Sequence, residues 1–194
     1  MSSIEVDKIV PATGTSLTLG DSGDTFTIPS GVTLTNNGTA SGFGGAFEGQ
    51  LLHVQDQKAN GTDGDSLTAG SWQTRTLNTI KTNEITGASL SSNQISLPSG
   101  TYYIIAKANL FDGNRHKIKL RNITDSSDEI IGSSEFSHSS YQDASNSYLN
   151  GRFTINASKT FEIQHRSESS ATLGIGSIFG VIEVFADVQI WKVA

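Results

Sequence analysis

The chain carries four histidines, and none of them has the spacing of a familiar catalytic or metal-binding motif. They are His53, His116, His138 and His165. Neither an HExxH motif nor a paired-ligand spacing connects them. His165 alternates with Phe161 and Ile163, which favours a histidine packed in a structural role over one that binds a metal. The histidines therefore predict no catalytic site and no metal site.

Two short acidic turns offer oxygen ligands of the kind that calcium prefers. They lie at residues 21–24 (DSGD) and 63–65 (DGD). Aspartate also stabilises turns through its own side chain, without any ion. A plain turn is our main interpretation and a calcium site is the alternative, so the sequence predicts no metal and no cofactor.

Glycine-rich segments do not supply catalytic machinery either. Residues 174–177 (GIGS) lack the serine between two glycines that a nucleophile elbow needs. Residues 42–45 (GFGG) have neither the lysine nor the strand–helix context of a phosphate-binding loop, and they indicate a hinge.

The chain has no cysteine, which removes thiolate nucleophiles, thiolate metal sites and disulfides together. Distant strands could still bring a carboxylate pair together, but the sequence favours a non-enzymatic protein.

Composition and charge exclude two further classes of function. The net charge is −6, whereas a nucleic-acid-binding protein needs a basic face to neutralise phosphates. No segment approaches the roughly 20 consecutive apolar residues that span a bilayer. The first residues have neither a basic start nor an apolar run, so no signal peptide is predicted. We expect a protein made in a cytoplasm that neither inserts into a membrane nor binds nucleic acid.

Alternating apolar residues predict the elements that carry these side chains. From Tyr102 to Leu110 every second residue is apolar, which predicts a strand over 101–111. The turn at 112–114 predicts a hairpin with a return strand at 116–121, and 156–159 predicts a second hairpin. Further strands are predicted at 51–58, 71–78, 129–136, 148–155, 160–166 and 179–193. Their number and spacing are typical of an all-β sandwich or barrel.

Apolar residues on both faces of two of these strands predict an interface. In the last strand Ile182, Val184, Ala186, Val188 and Ile190 form one apolar face. A strand with one solvated face should be polar on its other side, yet that side is rich in apolar residues, as is the second face of strand 101–111. The predicted trimer-interface residues are Tyr103, Ile105, Phe179, Val181, Phe185 and Trp191. The alternative is that loops of the same chain cover them.

The first 50 residues differ in pattern from the rest. Short apolar pairs, Leu17/Leu19, Phe26/Ile28 and Val32/Leu34, are separated by turn-forming segments. Such short strands bury too little surface to be stable in a single copy. We interpret residues 13–40 as a β-stalk formed between copies, with a flexible tail as the alternative. The predicted organisation is an attachment segment and stalk (1–40), a Gly-rich linker (41–50) and a head domain (51–194).

Several of these segments resemble one family of proteins. Residues 102–108 (YYIIAKA), 161–166 (FEIQHR) and 182–193 (IEVFADVQIWKV) resemble the head domains of tail-fibre or appendage proteins of marine bacteriophages. Such heads are similar in layout to the trimeric jelly rolls of the tumour-necrosis-factor and complement type. Residues 9–11 and 20–31 also resemble the start of such virion proteins. The resemblance implies a homotrimer whose N-terminus docks on other virion proteins while the head projects outward.

Three hypotheses follow for the function. The first is a structural virion protein: a trimeric fibre, spike or capsid decoration. The second is a module that binds a host receptor or surface glycan through polar loops of the head, with Phe136 and Tyr141 as candidate ligand-binding residues. A fibre could do both. The third, an enzyme that hydrolyses polysaccharide, is the weakest, because no cluster of carboxylates and aromatics is visible.

Overall fold

The computed structural model describes residues 13–16, 18, 21–25, 27–33, 35, 49–138 and 140–193. The chain divides into two units, Met1–Gly45 and Ala46–Ala194. Within the described residues every regular element is a β-strand, which confirms the all-β prediction. This part of the chain contains no helix long and apolar enough to cross a membrane.

The second unit contains fourteen strands among its described residues. In chain order they are β1 (Gln50–Lys58), β2 (Ser66–Leu67), β3 (Gln73–Thr74), β4 (Thr79–Asn83), β5 (Ser89–Ser91), β6 (Gln94–Leu97), β7 (Gly100–Phe111), β8 (Asn114–Asn122), β9 (Ser127–Ile131), β10 (Glu135–Ser137), β11 (Ala144–Ile155), β12 (Lys159–Ser167), β13 (Ala171–Thr172) and β14 (Glu183–Lys192).

The strands form two antiparallel sheets. In sheet A the order is β4–β1–β14–β7–β11, and the short strands β13 and β2 extend the sheet beside the end of β7. In sheet B the order is β5–β6–β12–β8, with β9 and β10 pairing with β8 and β3 pairing with β12. The inner faces of the two sheets pack against each other and form one hydrophobic core.

The alternation of apolar residues correctly predicts which side chains fill this core. On β7 Tyr102, Ile104 and Ala106 are buried, and on β8 Ile118 and Leu120 are buried. The Tyr102 ring stacks on Phe153 with centroids 5.5 Å apart, and its hydroxyl donates to the Pro98 carbonyl oxygen at 2.7 Å. Burial raises the pKa of Tyr102 to about 12.

Both predicted hairpins are wrong. The turn after β7 leads into β8, but β7 belongs to sheet A and β8 to sheet B. The turn between β11 and β12 likewise joins sheet A to sheet B. Turn residues followed by an alternating strand look the same whether the chain folds back beside itself or crosses to the facing sheet. A true hairpin joins β5 to β6, where Ser92 and Asn93 both have positive φ.

Two predicted strands are shorter or interrupted. In the segment predicted at 71–78, only β3 is a strand, and Arg75, which follows it, is fully buried. The strand predicted at 129–136 is divided into β9 and β10 at Gly132. A Cβ atom on Gly132 would lie 2.7 Å from the Tyr148 carbonyl oxygen and 2.8 Å from that of Ile118. The chain therefore crosses between β8 and β11 at a point where a side chain would not fit.

A β-bulge changes the phase of the last strand. Asp56 lies opposite Ala186 and Gln57 opposite Val184, which leaves Phe185 without a partner residue on β1. Phe185 and Ala186 are consequently both buried, while Val184 is 39% exposed. The predicted apolar face of the last strand is therefore correct from Ala186 onward but wrong for Val184 and Ile182. Ile182 is exposed and lies outside β14. The predicted outward position of Phe185 is wrong for the same reason.

The sandwich also buries a group of charged and polar side chains. Arg75 and Asp56 are both fully buried, with Nη2 and Oδ2 3.8 Å apart. Nearby, His116 and His165 share a hydrogen bond between Nδ1 and Nε2 at 2.9 Å, and His116 Nε2 lies 2.7 Å from Ser145 Oγ. His165 is packed as the sequence predicts. Burial lowers the pKa of His116 to about 4 and that of His165 to about 2, so both rings are neutral near pH 7.

In the first unit the structure describes two turns closed by backbone hydrogen bonds. The Asp24 amide donates to the Asp21 carbonyl oxygen at 3.0 Å, and the Val32 amide to that of Pro29 at 3.2 Å. No strand is assigned to the described residues of this unit. Four apolar residues of the predicted stalk lie outside the described residues, as does most of the predicted linker: Leu17, Leu19, Phe26 and Leu34. The stalk, the linker and the domain boundaries stay predictions.

Candidate functional site

The outer face of sheet A, called the sheet A face below, exposes aromatic and aliphatic side chains at the centre of the sheet. Tyr103 on β7 lies directly opposite Trp191 on β14, and their ring centroids are 6.5 Å apart. Two residues after Tyr103 on β7, Ile105 is 45% exposed, and Tyr148 on β11 is 52% exposed. The structure thus brings together three of the six predicted interface residues, Tyr103, Ile105 and Trp191, on neighbouring strands.

Beside these rings lies a network of polar side chains on β1 and β14. His53 Nε2 lies 3.2 Å from Asp187 Oδ2, and the Gln189 amide donates to the other carboxylate oxygen at 3.3 Å. Gln55 also donates to Asp187 and accepts a hydrogen bond from Gln57 at 2.6 Å. These hydrogen bonds link side chains of β1 and β14 across the outer face of sheet A. A face of mixed aromatic and amide groups is suited to a protein–protein contact.

The other three predicted interface residues lie elsewhere. Phe185 is buried inside the chain's own sandwich, at 7% exposure. Phe179 and Val181 are 82% and 62% exposed, but they lie in the loop between β13 and β14, outside any strand. The buried Glu183 carboxylate holds this loop by accepting hydrogen bonds from the Gly61 and Ser177 amides, both at 2.9 Å. These amide donors keep the pKa of Glu183 below its usual value, outweighing the effect of burial.

Sheet B carries a groove of about 1030 Å³ at its edge, called the cationic groove below. Three of the residues that line it are basic: Arg115, Lys117 and Arg166. Two are aromatic: Trp72, and Phe136 at 48% exposure. Phe136 lies opposite Arg115 across β10 and β8, so one aromatic ring and one guanidinium are adjacent at this edge.

Charge is unevenly neutralised along the cationic groove. Lys117 on β8 lies directly opposite Arg166 on β12, and within the described part of the chain neither forms an ion pair. Arg115 is paired with Glu168 at 2.8 Å. Like charges placed opposite each other across two strands are destabilising. The Lys117–Arg166 pair is therefore destabilising, and the two carboxylates that line the same groove, Glu135 and Glu168, form no ion pair with either member in the described residues.

Trp72 is fixed in position by a cation. Lys119 Nζ lies 4.3 Å from the centroid of the Trp72 ring, and the same ammonium is 2.8 Å from Asp128 Oδ1. Asp128 also accepts from Arg121 at 2.9 Å. These charge-assisted bonds outweigh desolvation and lower the pKa of Asp128. The indole is thereby held where it lines the groove, which reduces the entropy that a ligand would have to remove.

The two predicted ligand-binding residues are joined by a third ring. Phe136 packs edge-on against His138 with centroids 5.6 Å apart, and His138 contacts Tyr141 at 4.3 Å. Phe136 lines the cationic groove, whereas Tyr141, 78% exposed, lies in the loop beyond it. A continuous aromatic surface thus extends from the groove into the loop between β10 and β11.

The acidic turn at 63–65 uses its carboxylates to hold loops together. Asp63 accepts from the Gly176 amide at 2.8 Å, and Asp65 is paired with Lys58 Nζ at 2.9 Å. The Thr76 hydroxyl also donates to Asp65, and these bonds lower the pKa of Asp65. No group of three or more potential metal ligands occurs among the residues that the structure describes. The carboxylates of this turn thus accept from donors of the chain itself, while the choice between a plain turn and a calcium site stays a prediction.

Of the residues that line the cationic groove, sequence reasoning predicted only Phe136; it missed the indole and the three cations, Trp72, Arg115, Lys117 and Arg166. An outward position of Lys117 was predictable from alternation, but its position opposite Arg166 depends on the register between β8 and β12. Trp72 was placed in a predicted strand with no special role. Only the pairing of strands that are distant in the chain shows that these residues share one surface.

Comparison with solved structures decides the fold. Murine APRIL at pH 5.0 superposes with a TM-score of 0.50 at 9% identity, covering 75% of this chain and 99% of that chain. Eiger TNF from S. frugiperda superposes with a TM-score of 0.53 at 9% identity, covering 75% of this chain and 93% of that chain. The sandwich is a jelly roll of the tumour-necrosis-factor type. At such low identity the likeness concerns the fold alone.

A further structure has a similar layout. The globular domain of zebrafish complement 1qA protein superposes with a TM-score of 0.49 at 11% identity, over 76% of this chain and 98% of that chain. No family model matches the sequence, and no curated protein matches it.

Proposed function

We propose that the chain is a non-enzymatic, homotrimeric attachment or structural protein that assembles through the sheet A face. The observation that carries this proposal is the Tyr103–Trp191 pair on the two central strands of sheet A, where Tyr103 is 38% exposed and Trp191 is half-buried. Large aromatic side chains gain favourable free energy when they are removed from water, and rings that stay accessible on a central strand pair do not gain it in full. Packing against a second copy would remove them from water, and identical copies around an axis do so with one repeated surface.

Assembly by this face leaves the rest of the head available for contact with a partner. Within the described residues, the aromatic surface formed by Phe136, His138 and Tyr141 lies on β10 and the loop after it, and the cationic groove lies on sheet B. Neither belongs to the sheet A face. This separation supports the second function, in which the assembled protein binds a host receptor or surface glycan.

The finer part of the proposal places the protein on a virion. In this proposal it is a fibre, spike or capsid decoration of a bacteriophage, made in the host cytoplasm and docked on other virion proteins through residues 1–40. Support for it comes from the resemblance of residues 102–108, 161–166 and 182–193 to phage appendage heads. Immunogold labelling of purified particles tests it. Gold on intact particles supports the placement, and label confined to the host cytoplasm contradicts it.

The oligomeric state tests the assembly directly. Native mass spectrometry of the full chain should give three times the 20.6 kDa chain mass. Ile105→Lys and Trp191→Lys should convert the trimer to monomer, because each puts an ammonium in the middle of the contact. Ile131→Lys is the matched control, since Ile131 is 53% exposed but lies on β9 of sheet B.

The two loop residues of the predicted interface need a separate variant. Phe179→Ser should weaken the trimer only if the β13–β14 loop contributes to the contact. A wild-type monomer contradicts the assembly proposal, and so does a trimer that survives both lysine substitutions. Hydrolysis of a host polysaccharide by the purified protein would contradict the non-enzymatic part.

A further inference from the structure

We propose that the cationic groove on sheet B is a binding site for an acidic saccharide, that is, a sugar chain whose units carry carboxylate or sulfate groups. The inference rests on the receptor- or glycan-binding part of the proposed function, but it does not depend on trimer formation. Every residue that carries it belongs to one chain and to one sheet or its adjoining loops.

The first argument is the unneutralised charge. Lys117 and Arg166 lie side by side on β8 and β12, and in the described residues no carboxylate pairs with either. Two neighbouring cations on the same sheet do have a partner, because Lys119 and Arg121 both form an ion pair with the carboxylate of Asp128. An anionic group placed between Lys117 and Arg166 would remove their repulsion and form charge-assisted hydrogen bonds with both.

The second argument is the combination of charge with aromatic surface. Trp72 and Phe136 both line the groove, and Lys119 holds the Trp72 ring in position. A pyranose ring has an apolar C–H face that packs on an aromatic ring, whereas a free inorganic anion has no such face. A groove of about 1030 Å³ also far exceeds the volume of a single small anion. The site therefore fits a ligand that carries both an anionic group and a ring.

The third argument concerns the acidic residues of the groove. Glu135 lines it and forms no ion pair among the described residues, while Glu168 is paired with Arg115. A carboxylate without an ion-pair partner can accept hydrogen bonds from the hydroxyl groups of a sugar. An inorganic anion without hydroxyl groups has no such donors.

Isothermal titration calorimetry with defined oligosaccharides tests the proposal. An alginate tetrasaccharide supplies carboxylates, a heparin-derived tetrasaccharide supplies sulfates as well, and maltotetraose is the neutral probe. The full chain should bind at least one acidic probe and should bind maltotetraose at least about tenfold more weakly, since a charge-assisted contact changes affinity by that factor or more. The difference between the two acidic probes identifies which anionic group the groove prefers.

Variants locate the binding. Lys117→Gln combined with Arg166→Gln should weaken the acidic probe by at least about tenfold, and Phe136→Ala should weaken it severalfold. Lys81→Gln is the matched control, because Lys81 is an exposed cation on β4 of sheet A. Unchanged thermal unfolding of each variant establishes that it remains folded.

Three outcomes overturn the proposal: no binding of either acidic probe, equal affinity for maltotetraose, or equal loss of affinity in the Lys81→Gln control. The oligomeric state of the same sample separates this test from that of the assembly. A monomer that binds the acidic probe contradicts the trimer and supports the groove. A trimer that binds neither probe supports the assembly and contradicts the groove.

Discussion

Arg75 donates a hydrogen bond from Nη2 to the carbonyl oxygen of Phe185 at 2.9 Å, inside the sandwich. The same guanidinium also donates to the carbonyl oxygens of Asn109 at 3.0 Å and Leu173 at 3.3 Å. These three carbonyls belong to β7, to the segment after β13 and to the bulge of β14. One buried side chain thus stabilises the irregular backbone that turns Phe185 inward.

Replacing this guanidinium should be strongly destabilising. Burial lowers the pKa of Arg75 to about 10, so the group is still charged near pH 7. Arg75→Met would leave the Asp56 carboxylate buried without its cation, which costs about 3–5 kcal/mol of unfolding free energy. Urea denaturation measures the loss. Asp56→Leu combined with Arg75→Met should lose less than the sum of the two single changes, and simple additivity would contradict the coupling.

Stability should fall as the pH is lowered from about 6.5 towards 5. The folded-state pKa is about 4 for His116 and about 2 for His165, both depressed by burial, against 6.5 for an unperturbed histidine. Below pH 6.5 the unfolded chain therefore binds protons that the folded chain does not, and the stabilisation is lost as the pH falls. Each histidine contributes a slope of about 1.4 kcal/mol per pH unit.

Urea unfolding at a series of pH values measures this slope. His165→Gln should reduce it by the contribution of one histidine, whatever the substitution does to the absolute stability. A wild-type stability that does not change between pH 6.5 and 5 would show that the two rings are not buried in their neutral form.

A charge reversal in the cationic groove should stabilise the fold while it removes the proposed binding. Lys117→Glu replaces the repulsion with Arg166 by an attraction across β8 and β12, which adds about 0.5–1 kcal/mol. Arg121→Glu is the opposing control, because it removes a partner of Asp128 and should lower stability. Thermal unfolding compares them. A decrease in stability for Lys117→Glu would mean that Lys117 has a favourable partner.

Gly174 should tolerate no side chain. Its φ of +137° is one that residues with a Cβ rarely adopt, and a Cβ atom there would overlap the Phe185 ring. Gly174→Ala should therefore cost about 1–3 kcal/mol from overpacking, in addition to the backbone strain. Gly70→Ala is the matched control, since Gly70 also has a positive φ but nothing lies within 4 Å of its added Cβ. Equal losses in urea unfolding would exclude the clash as the cause.

Local pattern was sufficient to predict strand identity and most of the core. Tyr102, Ile104 and Ile118 are buried as alternation requires, because a regular strand fixes the face of every residue. The bulge at Phe185 breaks that rule, and the Phe185 carbonyl oxygen accepts a hydrogen bond from Arg75, a residue more than a hundred positions earlier in the chain. Long-range hydrogen bonds of this kind leave no signature in the local sequence.

The candidate sites were predictable only in part. Tyr103, Ile105 and Trp191 stand out because apolar residues on a second face contradict a solvated strand. Lys117 and Arg166 do not stand out, since an isolated basic residue on an outward face is ordinary. The two mistaken hairpins have the same origin: the turn at 112–114 indicates where the chain reverses, but the partner strand is decided by the sandwich as a whole.

The two sheets lie back to back, so the sheet A face and the outer face of sheet B point in opposite directions. Copies joined through the first face would therefore display the cationic groove outward several times on one particle. A saccharide that binds one copy only weakly could then bind the whole assembly tightly through avidity. Each bound copy raises the effective concentration of ligand near the other copies. Such an assembly would bind tightly to a surface that carries acidic sugars at high density and only weakly to a surface that carries few of them.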